Sequence, residues 1–133
     1  MPDHLRGLVD TSVIIGLSAD TTGLPAEIAV SAISLAELAA GPHATDDPAE
    51  RARRQDRLQR AEAAFEAISL DTATARAYGQ IYAAVATGGR KARGRRAIDL
   101  LIAASALSRG LPLYTRNPTD FSGLEKLIQV VAV

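Results

Sequence analysis

Four of the chain's fifteen carboxylates are set apart by where they fall: Asp10, Glu37, Asp99 and Asp120. Asp10 ends the apolar run Leu8-Val9 and precedes Thr11-Ser12, where the chain is expected to turn into a helix. Glu37 lies three residues after Ser34, the spacing of a capping box in which the glutamate reaches back to the cap N–H. Asp120 follows the turn signal Asn117-Pro118. Caps and turns account for each of these three taken singly. Asp99 is harder to dismiss, because on a helix it shares a face with Ile102, Ala103 and Ala106 and so points toward the protein interior. Burying an unpaired carboxylate costs on the order of several kcal/mol. A place in the first helical turn offsets roughly 0.3–2 kcal/mol of that, and an arginine, a proton or a cation must supply the rest.

If the four converge, their repulsion either keeps some protonated or is neutralised by divalent cations. An all-oxygen, histidine-poor cluster suits hard ions, so magnesium or manganese is expected ahead of zinc. The rest of the composition narrows the chemistry in the same direction. With no cysteine there is no disulfide, thiolate zinc site or cysteine nucleophile. His4 and His43 are the only histidines, too few for a histidine-rich metal site or a convincing Ser-His-Asp triad.

The chain of 133 residues, 47% hydrophobic and 23% charged, has the length of one domain and the balance of an ordinary globular one. No run approaches the roughly 18 apolar residues of a membrane span. The N-terminus, Met-Pro-Asp-His, does not resemble a secretory signal, so a cytoplasmic location is expected. Fifteen basic residues balance the fifteen acidic ones, which excludes a uniformly basic nucleic-acid coat. The basic residues are nevertheless clustered, and all but Lys91 and Lys126 are arginine. Arg51, Arg53, Arg54, Arg57 and Arg60 read as a solvated helix face. Arg90, Lys91, Arg93, Arg95 and Arg96, set among glycines, read either as a surface loop or as a phosphate-contacting one.

The elements that must position these residues alternate. Strands are expected at Leu5 to Val9, Ile28 to Ser31, Ile68 to Leu70, Leu111 to Thr115 and Leu127 to Val133. Helices are expected after Thr11-Ser12, from Ser34 to Gly41, from about Ala49 to Ala67, from Asp71 through about Ala86, and from about Ala97 to Ser108. Strands separated by helices imply crossovers and an α/β fold with a mainly parallel sheet covered on both faces. Ligands then bind beyond the carboxyl ends of the strands, where Asp10 and Arg116-Asn117 fall.

Four segments in this order resemble the PIN-domain nucleases, and among them the VapC-type toxins of bacterial toxin–antitoxin pairs. They are Leu8-Val9-Asp10-Thr11-Ser12-Val13-Ile14-Ile15; Ile33-Ser34-Leu35-Ala36-Glu37-Leu38 with Gly41; Arg96-Ala97-Ile98-Asp99-Leu100-Leu101-Ile102-Ala103-Ala104; and Leu113-Tyr114-Thr115-Arg116-Asn117-Pro118-Thr119-Asp120-Phe121. The resemblance covers nearly the whole chain and implies a single PIN domain over residues 1–133, a three-layer α/β/α sandwich with four to five strands. It implies an endoribonuclease using one or two Mg2+ or Mn2+ ions held by Asp10, Glu37, Asp99 and Asp120. Many relatives carry an aspartate where this chain has Asn117, so Asn117 and Asp120 both stand for the fourth position. Ser12, Thr115 and Asn117 are then expected to orient the carboxylates, and Arg93, Arg95, Arg96 and Arg116 to position RNA phosphates. A VapB-like antitoxin is the implied partner, seated in an apolar groove between the 34–40 and 49–67 helices, in a homodimer or a toxin–antitoxin hetero-oligomer. The alternatives are an RNA-processing PIN nuclease that is not a toxin, a catalytically silent interaction protein, and a phosphatase or receiver-type domain. The last is disfavoured because Thr11-Ser12 stands where a second acid is needed.

Overall fold

A computed structural model describes residues 5–17, 21–89 and 94–133. The strands are β1 (Arg6–Val9), β2 (Glu27–Ser31), β3 (Glu66–Ile68), β4 (Leu113–Thr115) and β5 (Val130–Ala132). They form one sheet in the order β3-β2-β1-β4-β5, and every pairing is parallel. The helices are α1 (Thr11–Ile15), α2 (Ala32–Ala40), α3 (Pro48–Ala64), α4 (Thr72–Thr87) and α5 (Arg95–Arg109), with single 3-10 turns at Gly41–Ala44 and Pro118–Phe121.

Alternation along the strands sends neighbouring residues to opposite faces, and this divides the core in two. Leu8, Ala29, Ile68 and Leu113 pack with Ile81 and Val85 of α4 and Leu100, Ile102 and Ala103 of α5. Val9, Val30 and Tyr114 pack with Val13 and Ile14 of α1, Leu38 of α2 and Ala61 of α3. The expected three layers are therefore present, with helices on both faces of a five-stranded sheet.

The sheet is tightest around β1. A Cβ on Gly7 would stand 2.5 Å from the Tyr114 ring and 3.1 Å from Pro25. Gly7→Ala is expected to destabilise the fold by about 1–3 kcal/mol, as overpacking does, read as a lowered urea midpoint with an unchanged slope.

Helix ends show where local chemistry departs from sequence expectation. Ser31, not Ser34, caps α2, accepting from the Ile33 N–H; Ser34 lies fully buried inside the helix. The capping-box reading of Glu37 therefore fails. Asp47-Pro48, read as a turn, forms the cap and first residue of α3. That helix ends at Ala64 rather than Ala67, because Ala67 pairs with Val30 in the sheet. Asp71 caps α4 as expected, and its carboxyl is held at about 2 by the Thr74 N–H, then by Arg109 and the Thr74 hydroxyl. Gly110, left-handed at φ 64°, closes α5. That helix opens at Arg95, a half-turn earlier than expected, which alters the environment of Asp99. No helix among the described residues is long and apolar enough to cross a membrane.

Candidate active site

The strand order reverses at β1. The chain moves from β1 to β2 and β3 on one side, then returns to β4 and β5 on the other. A crevice opens beyond the carboxyl ends of the strands at such a switch point. Asp10 stands there, its N–H bonded to the Tyr114 carbonyl of β4 (3.0 Å).

Asp10 is 6% exposed and caps α1. Its Oδ1 accepts from Ser12 Oγ (2.6 Å) and the Val13 N–H (3.2 Å), and its Oδ2 accepts from Thr115 Oγ1 (2.5 Å). Thr115, fully buried, in turn accepts from the Asn117 N–H (2.9 Å). Ser12 accepts from the Arg116 N–H (3.2 Å). The loop after β4 is thereby tied to both oxygens of Asp10. Ser12 and Thr115 thus each hydrogen-bond one oxygen of Asp10, while Asn117 contributes its backbone N–H to Thr115.

Glu37 projects from α2 toward α1 and α5. Its Oε1 accepts from Thr11 Oγ1 (2.6 Å), which also hydrogen-bonds Ser34 Oγ (3.0 Å). Its Oε2 is ion-paired with Arg95 Nη1 (2.6 Å). Thr11 was not singled out from sequence. The available signal was a hydroxyl adjacent to Asp10 at a strand end.

Asp99 lies one full turn inside α5, beyond the free N–H groups of the first turn. The relief expected from that position is therefore absent, and the carboxyl is pushed up to about 6. Burial is the largest cause, followed by the charge of Asp120; Arg95 opposes the rise, and Glu37 and Asp10 add to it. The three other acids named from sequence thus each act on Asp99 through space. Asp120, half-buried in the 3-10 turn after β4, is held through its carbonyl by Arg96 Nη1 (2.9 Å).

A cavity of about 400 Å3 opens beside Glu37, lined also by Thr11, Leu38, Glu50, Arg54, Arg57 and Arg95. Among the described residues, no three acidic or imidazole groups are arranged to grip one ion as they stand; Glu37 is occupied by Thr11 and Arg95. The donor chemistry nonetheless fits a hard divalent cation. It consists of carboxylate oxygens whose mutual repulsion is expressed at Asp99 and whose charge at Glu37 is balanced by a guanidinium. Arg116 is turned back onto α1, where its Nη2 donates to the Gly16 carbonyl (2.9 Å). Arg93 lies outside the described residues.

The groove expected between α2 and α3 is displaced. Those two helices pack on each other, and the apolar groove, of about 600 Å3, lies between α1 and α3. Its floor is Ile14, Ile15, Leu17, Ala61, Ala64 and Phe65, and its rim is Arg53, Asp56, Arg57 and Arg60, with Arg60 paired to Asp56 (2.9 Å) and Arg53 to Glu50 (2.7 Å).

A PIN domain family model matches residues 7–127: the chain belongs to the PIN-domain family, and within it to the VapC-like proteins. It is 35% identical over 123 residues to Ribonuclease VapC5 of Mycobacterium tuberculosis, spanning 90% of this chain and 87% of that one. Among solved structures it is similar to a VapBC-5 toxin–antitoxin complex from M. tuberculosis (TM-score 0.83, 32% identity, 97% of this chain and 99% of that one). It is also similar to a DNA-bound VapBC from Salmonella typhimurium (TM-score 0.74, 26% identity, 95% and 96%).

Proposed function

We propose that this protein is the toxin of a toxin–antitoxin pair, an endoribonuclease that hydrolyses RNA phosphodiester bonds at a Mg2+ or Mn2+ site built from Asp10, Glu37, Asp99 and Asp120. The observation that supports the reading is that Asp10, fixed by hydrogen bonds at the sheet's switch point, Glu37 and Asp120 all lie close enough to the part-buried Asp99 to act on its charge. The likeness to a VapC ribonuclease supplies the reaction. A divalent ion bound there supplies Lewis acidity toward the phosphoryl oxygens.

The chain's own residues supply order around it. Ser12, Val13 and Thr115 fix both oxygens of Asp10, so that side chain is preorganised rather than recruited. Thr11 aligns Glu37. Asp99, whose carboxyl burial and the neighbouring acids push up to about 6, is the group whose charge a divalent cation would most relieve. Asp120 is placed by the Arg96 contact to its carbonyl. Arg95 stands at the cavity mouth, where RNA phosphates approach.

The partner that fits the α1–α3 groove is an antitoxin segment of amphipathic helix: apolar positions for the floor, where Ile15 is 52% exposed, and a carboxylate for Arg57 on the rim. The likeness to VapBC-5, a member of a toxin–antitoxin family, supports an antitoxin as the partner. Purified protein incubated with RNA is expected to cleave it with Mg2+ or Mn2+ and to stop when EDTA is added. Equal cleavage in EDTA would remove the metal from the mechanism, and intact RNA under every condition would remove the nuclease.

A further inference from the structure

Arg95 contacts the acidic site from outside it. Its Nη1 meets Glu37 Oε2 at 2.6 Å, and the two partners are unequal: Glu37 is 16% exposed and clasped by Thr11, whereas the arginine is 71% exposed. Of the other arginines lining the same cavity, Arg54 is committed to Glu50 and the Gly41 carbonyl.

We infer that Arg95 is the resident counter-ion of Glu37, surrendered when a divalent cation enters the site, and that the released guanidinium takes an RNA phosphate at the mouth of the same cavity. The inference rests on the metal-dependent reading above and adds an exchange to it. Three observations carry it. Glu37 Oε2 cannot be fully available to an ion while it holds Arg95 at 2.6 Å. The arginine can leave at little cost because it is 71% exposed and its charge is hydrated outside the pair, while the largely buried Glu37 would be recompensated by the entering cation. Among the described residues Arg95 is the guanidinium ion-paired with one of the four carboxylates, which leaves the site negative, so Arg95 sets a threshold for the cation without excluding it. Arg95 is also the first residue of α5, where its backbone N–H and the helix dipole favour an incoming anion. A guanidinium that leaves its single contact to Glu37 there is free to meet a phosphate bidentately.

Calorimetry of Mn2+ binding to the full chain reads the exchange without reference to turnover. Arg95→Ala is expected to bind Mn2+ about two- to fivefold tighter, the range an exposed pair converts to. Its KM for RNA should rise about three- to tenfold, with kcat less affected, as loss of a phosphate contact predicts. Arg95→Lys keeps the charge but not the fork, so it should recover most of the metal affinity of the parent and part of the KM. In a Glu37→Gln background the tightening produced by Arg95→Ala should shrink toward nothing. Unchanged or weaker Mn2+ binding by Arg95→Ala would overturn the exchange, as would a tightening undiminished in the Glu37→Gln background. An unchanged KM would overturn the phosphate contact. A parent protein that takes up no divalent ion overturns the functional reading along with the inference. A parent that binds Mn2+ and cleaves RNA, beside an Arg95→Ala variant that binds no tighter, overturns the exchange alone.

Discussion

Asp99→Asn is expected to end RNA cleavage and, in metal-free buffer at pH 7.5, to melt at a higher temperature than the parent. The loss should be at least about 100-fold, since residues that merely orient a metal ligand are already worth 10–100-fold. The gain in stability follows from the raised carboxyl. Its pKa is about 6 in the fold against an ordinary 3.8, chiefly through burial and then the charge of Asp120. The native state therefore binds the extra proton between those values. The favourable contribution of the protonated form is complete below 3.8 and is lost as the pH rises through about 6. At pH 7.5 the ionised group is consequently a net cost to the fold, and asparagine removes it. Two pKa units correspond to roughly 3 kcal/mol, but a half-exposed group is screened by water, which leaves about 1 kcal/mol. For a domain of this size that is a rise of roughly 3–5 °C in Tm. The advantage should shrink at pH 5, where the native carboxyl of the parent is already largely protonated. Equal melting temperatures at pH 7.5, or retained cleavage, would break the link between repulsion and function.

The same group sets the pH response of cation uptake. Proton and divalent ion compete for the Asp99 oxygens, so affinity for Mn2+ should fall as the pH drops below about 6. Titration by calorimetry at pH 7.5 and 5.5 checks the direction. An affinity that is flat across this range would place the ion away from Asp99.

How far this site could be read in the sequence depended on which interactions are local. Strand, cap and turn chemistry are local, and they located Asp10 at a strand end, Asp71 at a helix cap and Gly110 at a helix stop. The parallel sheet followed from the alternation of elements, and its observed order places Asp10 beside Thr115. Where two local readings competed, tertiary packing decided. Ser31 and Ser34 both suit a cap, but Ser34 is buried against Thr11, and Ser31 takes the role while also bonding Ser105 of α5 (2.9 Å). Likewise, no spacing rule could reveal that Arg95 reaches Glu37 or that Thr11 bridges to α2. Those contacts exist only because α1, α2 and α5 converge at the end of β1. The groove was misplaced for a related reason. Amphipathic patterning shows that α3 has an apolar side, but not which neighbour leaves part of it uncovered.

Asp10→Asn makes the same chemical change as Asp99→Asn and should cost activity to the same degree, at least about 100-fold, but with the opposite effect on stability. Asp99 is a carboxyl whose charged form is raised in free energy chiefly by burial and then by its acidic neighbours. Asp10 is an almost fully buried one whose oxygens accept from Ser12, Val13 and Thr115. Hydrogen bonds to a charged acceptor contribute about 1.5–3 kcal/mol, and an amide keeps only one acceptor oxygen. Its NH2 group would face either the Thr115 hydroxyl or the Ser12 hydroxyl. Each already receives a backbone N–H, from Asn117 and Arg116 respectively, so each offers its own proton to Asp10. Turning either hydroxyl to accept from the amide leaves that proton without its carboxylate partner. Asp10→Asn is therefore expected to lose about 1–3 kcal/mol, and the disturbance should spread through Thr115 and Ser12 to the loop after β4. Equilibrium unfolding of both variants beside the parent at pH 7.5 without metal makes the comparison. If both asparagine variants shift in the same direction, the two acids do not occupy the contrasting environments described, and the division between a fixed Asp10 and a repelled Asp99 fails.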